Sequence, residues 1–208
     1  MTRRFVVSGT DTNVGKTVFA AGLAGALNGH YWKSIQSGFA PEGDKETVMR
    51  LSGLPASHIL PERYRLTAPL SPHRSAEMDG VVIQPATLTL PEIAGPLVIE
   101  GAGGLMVPIT REFLQIDLYR KWDLPVILVA RTTLGTINHT LLSIAALRMQ
   151  EIPILGVAFV GEDNSDNIRT IGEMGEVRIL GRLPHLPQLN AHTLRDAFTT
   201  HFREEDFA

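Results

Sequence analysis

The chain has 208 residues, 44% apolar and 20% charged, with 19 Gly, 13 Pro and no Cys. This fits one α/β domain over residues 1–208 and excludes disordered, fibrous and disulfide-bonded classes. Absence of cysteine removes thiol nucleophiles, Cys-ligated zinc and iron–sulfur clusters, and a formal net charge of −3 provides no global basic field for nucleic acid. The apolar stretch after Arg3 and Arg4 is shorter than the ~7–15 residues of an export signal. Leu124–Ala130, the longest apolar run, is far below the ~20 residues that span a bilayer. A cytoplasmic protein with no membrane or nucleic-acid partner is expected.

In chain order, Arg4–Ser8 reads as a buried strand and Gly15–Asn28 as a helix. In that helix Val18, Ala21, Gly22 and Gly25 follow i, i+3, i+4, i+7 spacing, and their small size predicts close packing on a sheet. Tyr31–Gln36 reads as a second strand. Phe39–Ala94 is less regular, with short helical pieces and turns. Leu97–Glu100, Val126–Ala130 and Ile154–Val160 are further apolar strands, and Val177–Leu180 is another candidate. Thr136–Gln150 reads as a long helix with an apolar stripe of Ile137, Leu141, Ile144 and Ala145. Strands apolar on both faces, alternating with helices, predict a mostly parallel sheet with helices on both faces.

The first strand runs into Gly9-Thr-Asp-Thr-Asn-Val-Gly-Lys-Thr17 and a helix follows, the strand–loop–helix setting of a P-loop. The fold expected is therefore α/β and P-loop NTPase-like. In such a loop backbone N–H groups and the helix N-terminus face phosphate oxygens, which makes Asn13, Val14, Gly15, Lys16, Thr17 and Val18 the candidate phosphate contacts. Lys16 reaches the outer phosphates and the Thr17 hydroxyl suits Mg²⁺. The strict pattern is not met, because Thr10 stands where the first glycine belongs. Lys33 lies at the end of the second strand, where alone it reads as a solvated surface lysine, but a doubly wound sheet would aim it at the same crevice. Glu100 closes an apolar strand and precedes Gly101-Ala102-Gly103-Gly104, the position of a Mg²⁺-holding carboxylate followed by backbone that phosphates can approach. The alternative is a flexible turn with a solvated glutamate. Asp44 reads as a second acid or as a helix N-cap.

Together these segments resemble the dethiobiotin synthetase family. The resemblance is carried by the Gly9–Thr17 loop, Lys33-x-x-x-Ser37-Gly38, Ser71-Pro72-His73 and Glu100–Gly104. Leu124–Val129, Leu134-Gly-x-Ile-Asn-His139 and Leu180-Gly-x-x-Pro184 follow in family order. It implies a homodimeric P-loop enzyme that converts 7,8-diaminononanoate, CO₂ and MgATP into dethiobiotin, ADP and phosphate. It further implies Thr17, Asp44 and Glu100 around Mg²⁺, Lys16 and Lys33 as active-site lysines, Ser37 as a substrate contact, and Asn138 reaching the other subunit's substrate. Thr10 is counted with the lysines as a catalytic candidate, and the backbone of Pro184-His185-Leu186 as a seat for the base. Lowering an alkyl amine from a pKa of roughly 10.4 to near 7.4 takes about 4 kcal/mol. One lysine charge about 4 Å away supplies that much at an effective dielectric of ~20, so the two lysines are expected to keep the substrate amines neutral.

Three departures from the family stand out. Asn13 replaces a common Glu. No Asn-Asp follows the 154–159 strand to read adenine, leaving Glu162, Asp163 or Asn164 to supply that contact. The Phe39–Ala94 region is short. Two other functions compete. A partitioning-type switch ATPase uses a similar variant loop, but the acidic segment at 201–208 discourages DNA or anionic membranes. A cobyrinate-type amidase needs a glutaminase unit, for which the chain has neither spare length nor a cysteine. His58, His73 and His185 lack metal-ligand spacing, Trp32 and Trp122 read as core or interface aromatics, and Arg3-Arg4 as a solubility feature at a strand edge.

Overall fold

In β1 (Arg4–Gly9) Phe5 and Val7 are buried on one face and Val6 on the other, so the strand needs cover on both sides. The computed structural model, which describes residues 3–208, provides that cover. After α1 (Lys16–Ala26) come β2 (His30–Lys33) and β3 (Ile35–Ser37). The stretch expected to be irregular holds α2 (Asp44–Leu51), β4 (Tyr64–Leu66) and α3 (Pro72–Asp79). Then follow β5 (Leu97–Gly104), α4 (Gln115–Trp122), β6 (Val126–Arg131) and α5 (Thr136–Met149). The alternation ends with β7 (Ile154–Val160), α6 (Ser165–Gly175), β8 (Ile179–Leu183) and α7 (Ala191–His201).

Six strands form one parallel sheet in the order β2-β5-β1-β6-β7-β8. One face packs on α1, α2 and α7 through Phe19, Leu23, Val48, Leu51, Leu194 and Phe198. The other packs on α4, α5 and α6 through Ile116, Tyr119, Trp122, Ile144 and Ile171. The doubly covered, parallel α/β architecture expected from the strand pattern is present. Trp32 and Trp122 are core residues, 5.7 Å apart, with their indole N–H groups bonded to the carbonyls of Pro61 and Leu88.

Four local expectations are corrected. The strand expected over Tyr31–Gln36 is two strands in two sheets, because β3 leaves the main sheet to pair with β4. The bend falls at Ser34, whose carbonyl accepts from the N–H groups of Arg63 and Tyr64. The strand expected to end at Glu100 runs on through the glycines: β5 continues to Gly104, which pairs with Gly9 across an irregularity in the register. The last strand starts at Ile179, two residues late, since Val177 N–H closes the end of α6 on Gly172. Finally, the two glycines of the α1 pattern face other helices rather than the sheet, on which α1 packs through its other residues. A Cβ at Gly22 would meet Phe198 of α7 at 2.5 Å, and one at Gly25 the Ser52 carbonyl after α2 at 2.5 Å.

Candidate active site

β1 is the central strand, with β5 on one side and β6 on the other, so its C-terminal end is where the connections part in opposite directions and a crevice opens. The loop from Gly9 to Thr17 occupies that point. Asn13 (φ 57) and Gly15 (φ 96) take left-handed backbone, and a Cβ at Gly15 would lie 2.8 Å from Val160. Arg131, at the end of β6, donates to the Thr12 carbonyl at 2.9 Å and the Asn13 carbonyl at 3.5 Å. The N–H groups of Asn13 and Val14 share those peptide planes and therefore point the opposite way.

Asn13, Gly15, Lys16, Thr17, Val18, Lys33, Ser37, Asp44, Glu100, Ala102 and Gly103 line one cleft of about 730 Å³. The remaining candidates lie outside it. Thr10 is tied by its N–H to the Val129 carbonyl at 3.0 Å. Val14 is buried in the core, and Gly101 backs onto Tyr119. Pro184, His185 and Leu186 follow β8, whose Leu183 pairs with Val160, the residue against Gly15. Asn138 is exposed on the first turn of α5. Asn164 has both ends of its amide engaged, accepting from Asn167 N–H and donating to the Thr132 carbonyl. Asp163 faces Arg182 at 3.6 Å, and Glu162 is exposed.

Glu100 is the meeting point of the cleft, 1% exposed. Its Oε1 accepts from Thr17 Oγ1 at 2.8 Å and lies 3.4 Å from Lys33 Nζ, while Oε2 accepts from the Tyr31 hydroxyl at 2.8 Å. Lys33 also pairs with Asp44, whose own N–H is held by Gln36 Oε1 at the start of α2. Burial raises the Glu100 carboxyl above the usual range even against the pull of Lys33. Burial acts against charge on Lys33 too, but Glu100 and Asp44 together outweigh it and the ammonium is held up. Lys16, which donates to the Asp11 carbonyl at 2.8 Å, is brought down to about 8, chiefly by burial. Two lysines and two carboxylates thus share the site, so the charges of Lys16 and Lys33 are partly offset before any ligand binds.

Among the described residues no three His, Cys, Asp or Glu side chains gather as a ligand set. The donors present are hard oxygens: one hydroxyl and the carboxylates of Glu100 and Asp44 beside a phosphate-type loop. That set fits Mg²⁺, which is bound through one or two carboxylates together with substrate phosphates and water. Tyr31, Gln36 and Arg131 were not singled out from the sequence. Tyr31 carried a usable signal, because residues i and i+2 of a strand share a face, so a lysine aimed at the site places Tyr31 beneath it.

A family model described as an AAA domain matches residues 3–193. Two curated proteins called ATP-dependent dethiobiotin synthetase BioD, from Rhodopseudomonas palustris strains HaA2 and TIE-1, are 58% and 59% identical over 207 residues. These alignments cover 100% of this chain and 97% and 98% of the relatives. A protein of the same name from Novosphingobium aromaticivorans is 58% identical over 204 residues, 98% of each chain. Among solved structures, a ParA family ATPase from Chlorobium tepidum TLS superposes with a TM-score of 0.56 at 15% identity, covering 96% of this chain and 98% of its own. The MinC:MinD cell division protein complex of Aquifex aeolicus gives 0.51 at 16% identity, over 93% and 86%. At such identities these two share the fold and no more.

Proposed function

The chain belongs to the ATP-dependent dethiobiotin synthetase family and is an ATP-dependent cyclo-ligase; from that premise we propose how its residues divide the chemistry. One amine of 7,8-diaminononanoate adds to CO₂ and releases a proton, giving a carbamate. A carbamate oxygen takes the γ-phosphoryl group of ATP, and ADP leaves. The second amine attacks the carbamate carbon, loses its proton and displaces phosphate, closing the cyclic urea.

The observation that carries the assignment is Glu100, buried between Thr17, Lys33 and Tyr31 in the cleft that Lys16 also lines. The N–H groups of the 13–18 segment and Lys16 hold the phosphates, whose negative charge suits the start of α1. Thr17, Asp44 and Glu100 would hold Mg²⁺, which supplies neutralising charge to the β- and γ-phosphate oxygens when bound. Lys33 stays protonated between its two carboxylates, so it stabilises the carbamate and the transferring phosphoryl group rather than accepting a proton. Ser37 takes the substrate. The backbone at Pro184-His185-Leu186 seats the base, since the side chain of Asn164 is already committed. Thr10 acts through its place in the loop backbone, not by touching the reacting atoms.

A cytoplasmic homodimer is part of the same proposal. It is supported by Leu134, fully exposed immediately before α5, and by Leu142 and Asn138, exposed on that helix. No helix among the described residues is long and apolar enough to cross a membrane. The deciding measurement is phosphate release by the purified protein. It is expected to require diaminononanoate, bicarbonate, Mg²⁺ and ATP together. Release indifferent to the diamine would instead favour a switch ATPase.

A further inference from the structure

The two oxygens of Glu100 have different neighbours. Oε1 faces Thr17 and Lys33, both of which line the cleft. Oε2 accepts from the Tyr31 hydroxyl at 2.8 Å, and Tyr31 is 0% exposed. Strand pairing sets this contact, because Tyr31 and Lys33 of β2 stand opposite Val98 and Glu100 of β5. The tyrosine ring is embedded in the core under α1 together with Val98.

We propose that Tyr31 is a positioning residue that limits Glu100 to single-oxygen coordination and so biases the site toward Mg²⁺ over Ca²⁺. This rests on the reading in which Thr17, Asp44 and Glu100 surround the metal ion. A carboxylate pinned at one oxygen by a buried O–H has a fixed plane. An ion taken by both oxygens would have to share Oε2 with a donor that has no solvent to turn to, which weakens the second metal–oxygen contact. Mg²⁺ takes near-octahedral oxygens at ~2.0–2.1 Å, served by single carboxylate oxygens, whereas Ca²⁺ takes 6–8 at ~2.3–2.6 Å and accepts bidentate carboxylates readily. The Tyr31 hydroxyl therefore permits the first geometry and obstructs the second.

The test is calorimetric and needs no turnover. ADP affinity is measured with Mg²⁺ and with Ca²⁺ for the parent, Tyr31→Phe and Glu100→Gln, with melting temperatures recorded alongside. Tyr31→Phe keeps the ring and removes only the O–H. It is expected to narrow the Mg²⁺ preference about tenfold, the scale of one buried hydrogen bond to a charged group. Tyr31→Leu, which also lacks the hydroxyl, should show the same change in ratio. An unchanged Mg²⁺-to-Ca²⁺ ratio in these variants overturns the inference whatever the melting temperature does, because a packing role moves stability and not the ratio. Glu100→Gln separates the two readings. Undiminished Mg²⁺ dependence in that variant would remove Glu100 as a ligand and the underlying assignment with it; a weakened dependence leaves the Tyr31 ratio to decide.

Discussion

Gly101 shows how narrowly a single position can be set. It lies next to Glu100 in β5, and a Cβ there would land on the hydroxyl of Tyr119, which donates to Ser8 Oγ at 3.2 Å. The neighbouring ring is buried and has nowhere to retreat. Gly101→Ala is expected to destabilise the fold by about 1–3 kcal/mol, the usual scale of overpacking, read as a lower urea midpoint. Adding Tyr119→Phe should restore part of the loss. The sequence assigns this glycine to phosphate approach, and the structure adds a separate reason behind the strand. Lys16, Thr17, Lys33 and Glu100 were legible because each stands at a strand end or helix start that a short local pattern reveals. Tyr31 and Arg131 act on residues 69 and 119 positions away, as with the Thr12 carbonyl, and such partners emerge only once strand order is known.

At the scale of elements, Glu77 joins α3 to the segment after β5. Arg111 bonds it at 2.8 and 3.0 Å, Arg74 adds a third contact at 2.9 Å, and the carboxyl is lowered to about 2. Its folded-state pKa lies below the unfolded 4.5, so the stability it contributes is present above 4.5 and fades as pH falls toward 2. Glu77→Gln should therefore lower the urea midpoint at pH 6, with the difference from the parent shrinking between pH 4.5 and pH 3. The carboxylate is exposed, so the effect is small and high salt should reduce it further. Element types were readable where apolar runs were long, as in β6 and β7. They were not where the buried set is sparse: α6 buries Ile171 and Gly175, α7 buries Leu194 and Phe198, and a single i, i+4 pair is too little to stand out in the sequence. The glycines of α1 were correctly noticed and wrongly aimed, because spacing reports that a face is close-packed and not what lies against it.

For the whole molecule, the net charge of −3 conceals a site where Lys16, Lys33, Asp44 and Glu100 offset one another. On the proposed assignment, the charge that acts on the substrate amines is the balance left once phosphates and metal ion join that set, not the two lysines alone. Assembly is testable at this scale as well. On the proposed homodimer, Leu134→Asp is expected to give a monomer in light scattering and to abolish synthesis, while melting stays within a few degrees of the parent after allowing for concentration. Strand order also imposes a timetable on synthesis. β1 is made first and sits in the middle of the sheet, yet its two flanking partners end at Gly104 and Arg131. At ~5–20 residues per second, its Val6 and Val7 wait on the order of ten seconds before β6 exists to pair with them. During that interval an apolar strand has two open edges until β5 is made and one until β6 is, so the nascent chain should be most prone to misassociate, and most dependent on a chaperone, before β6 can pair.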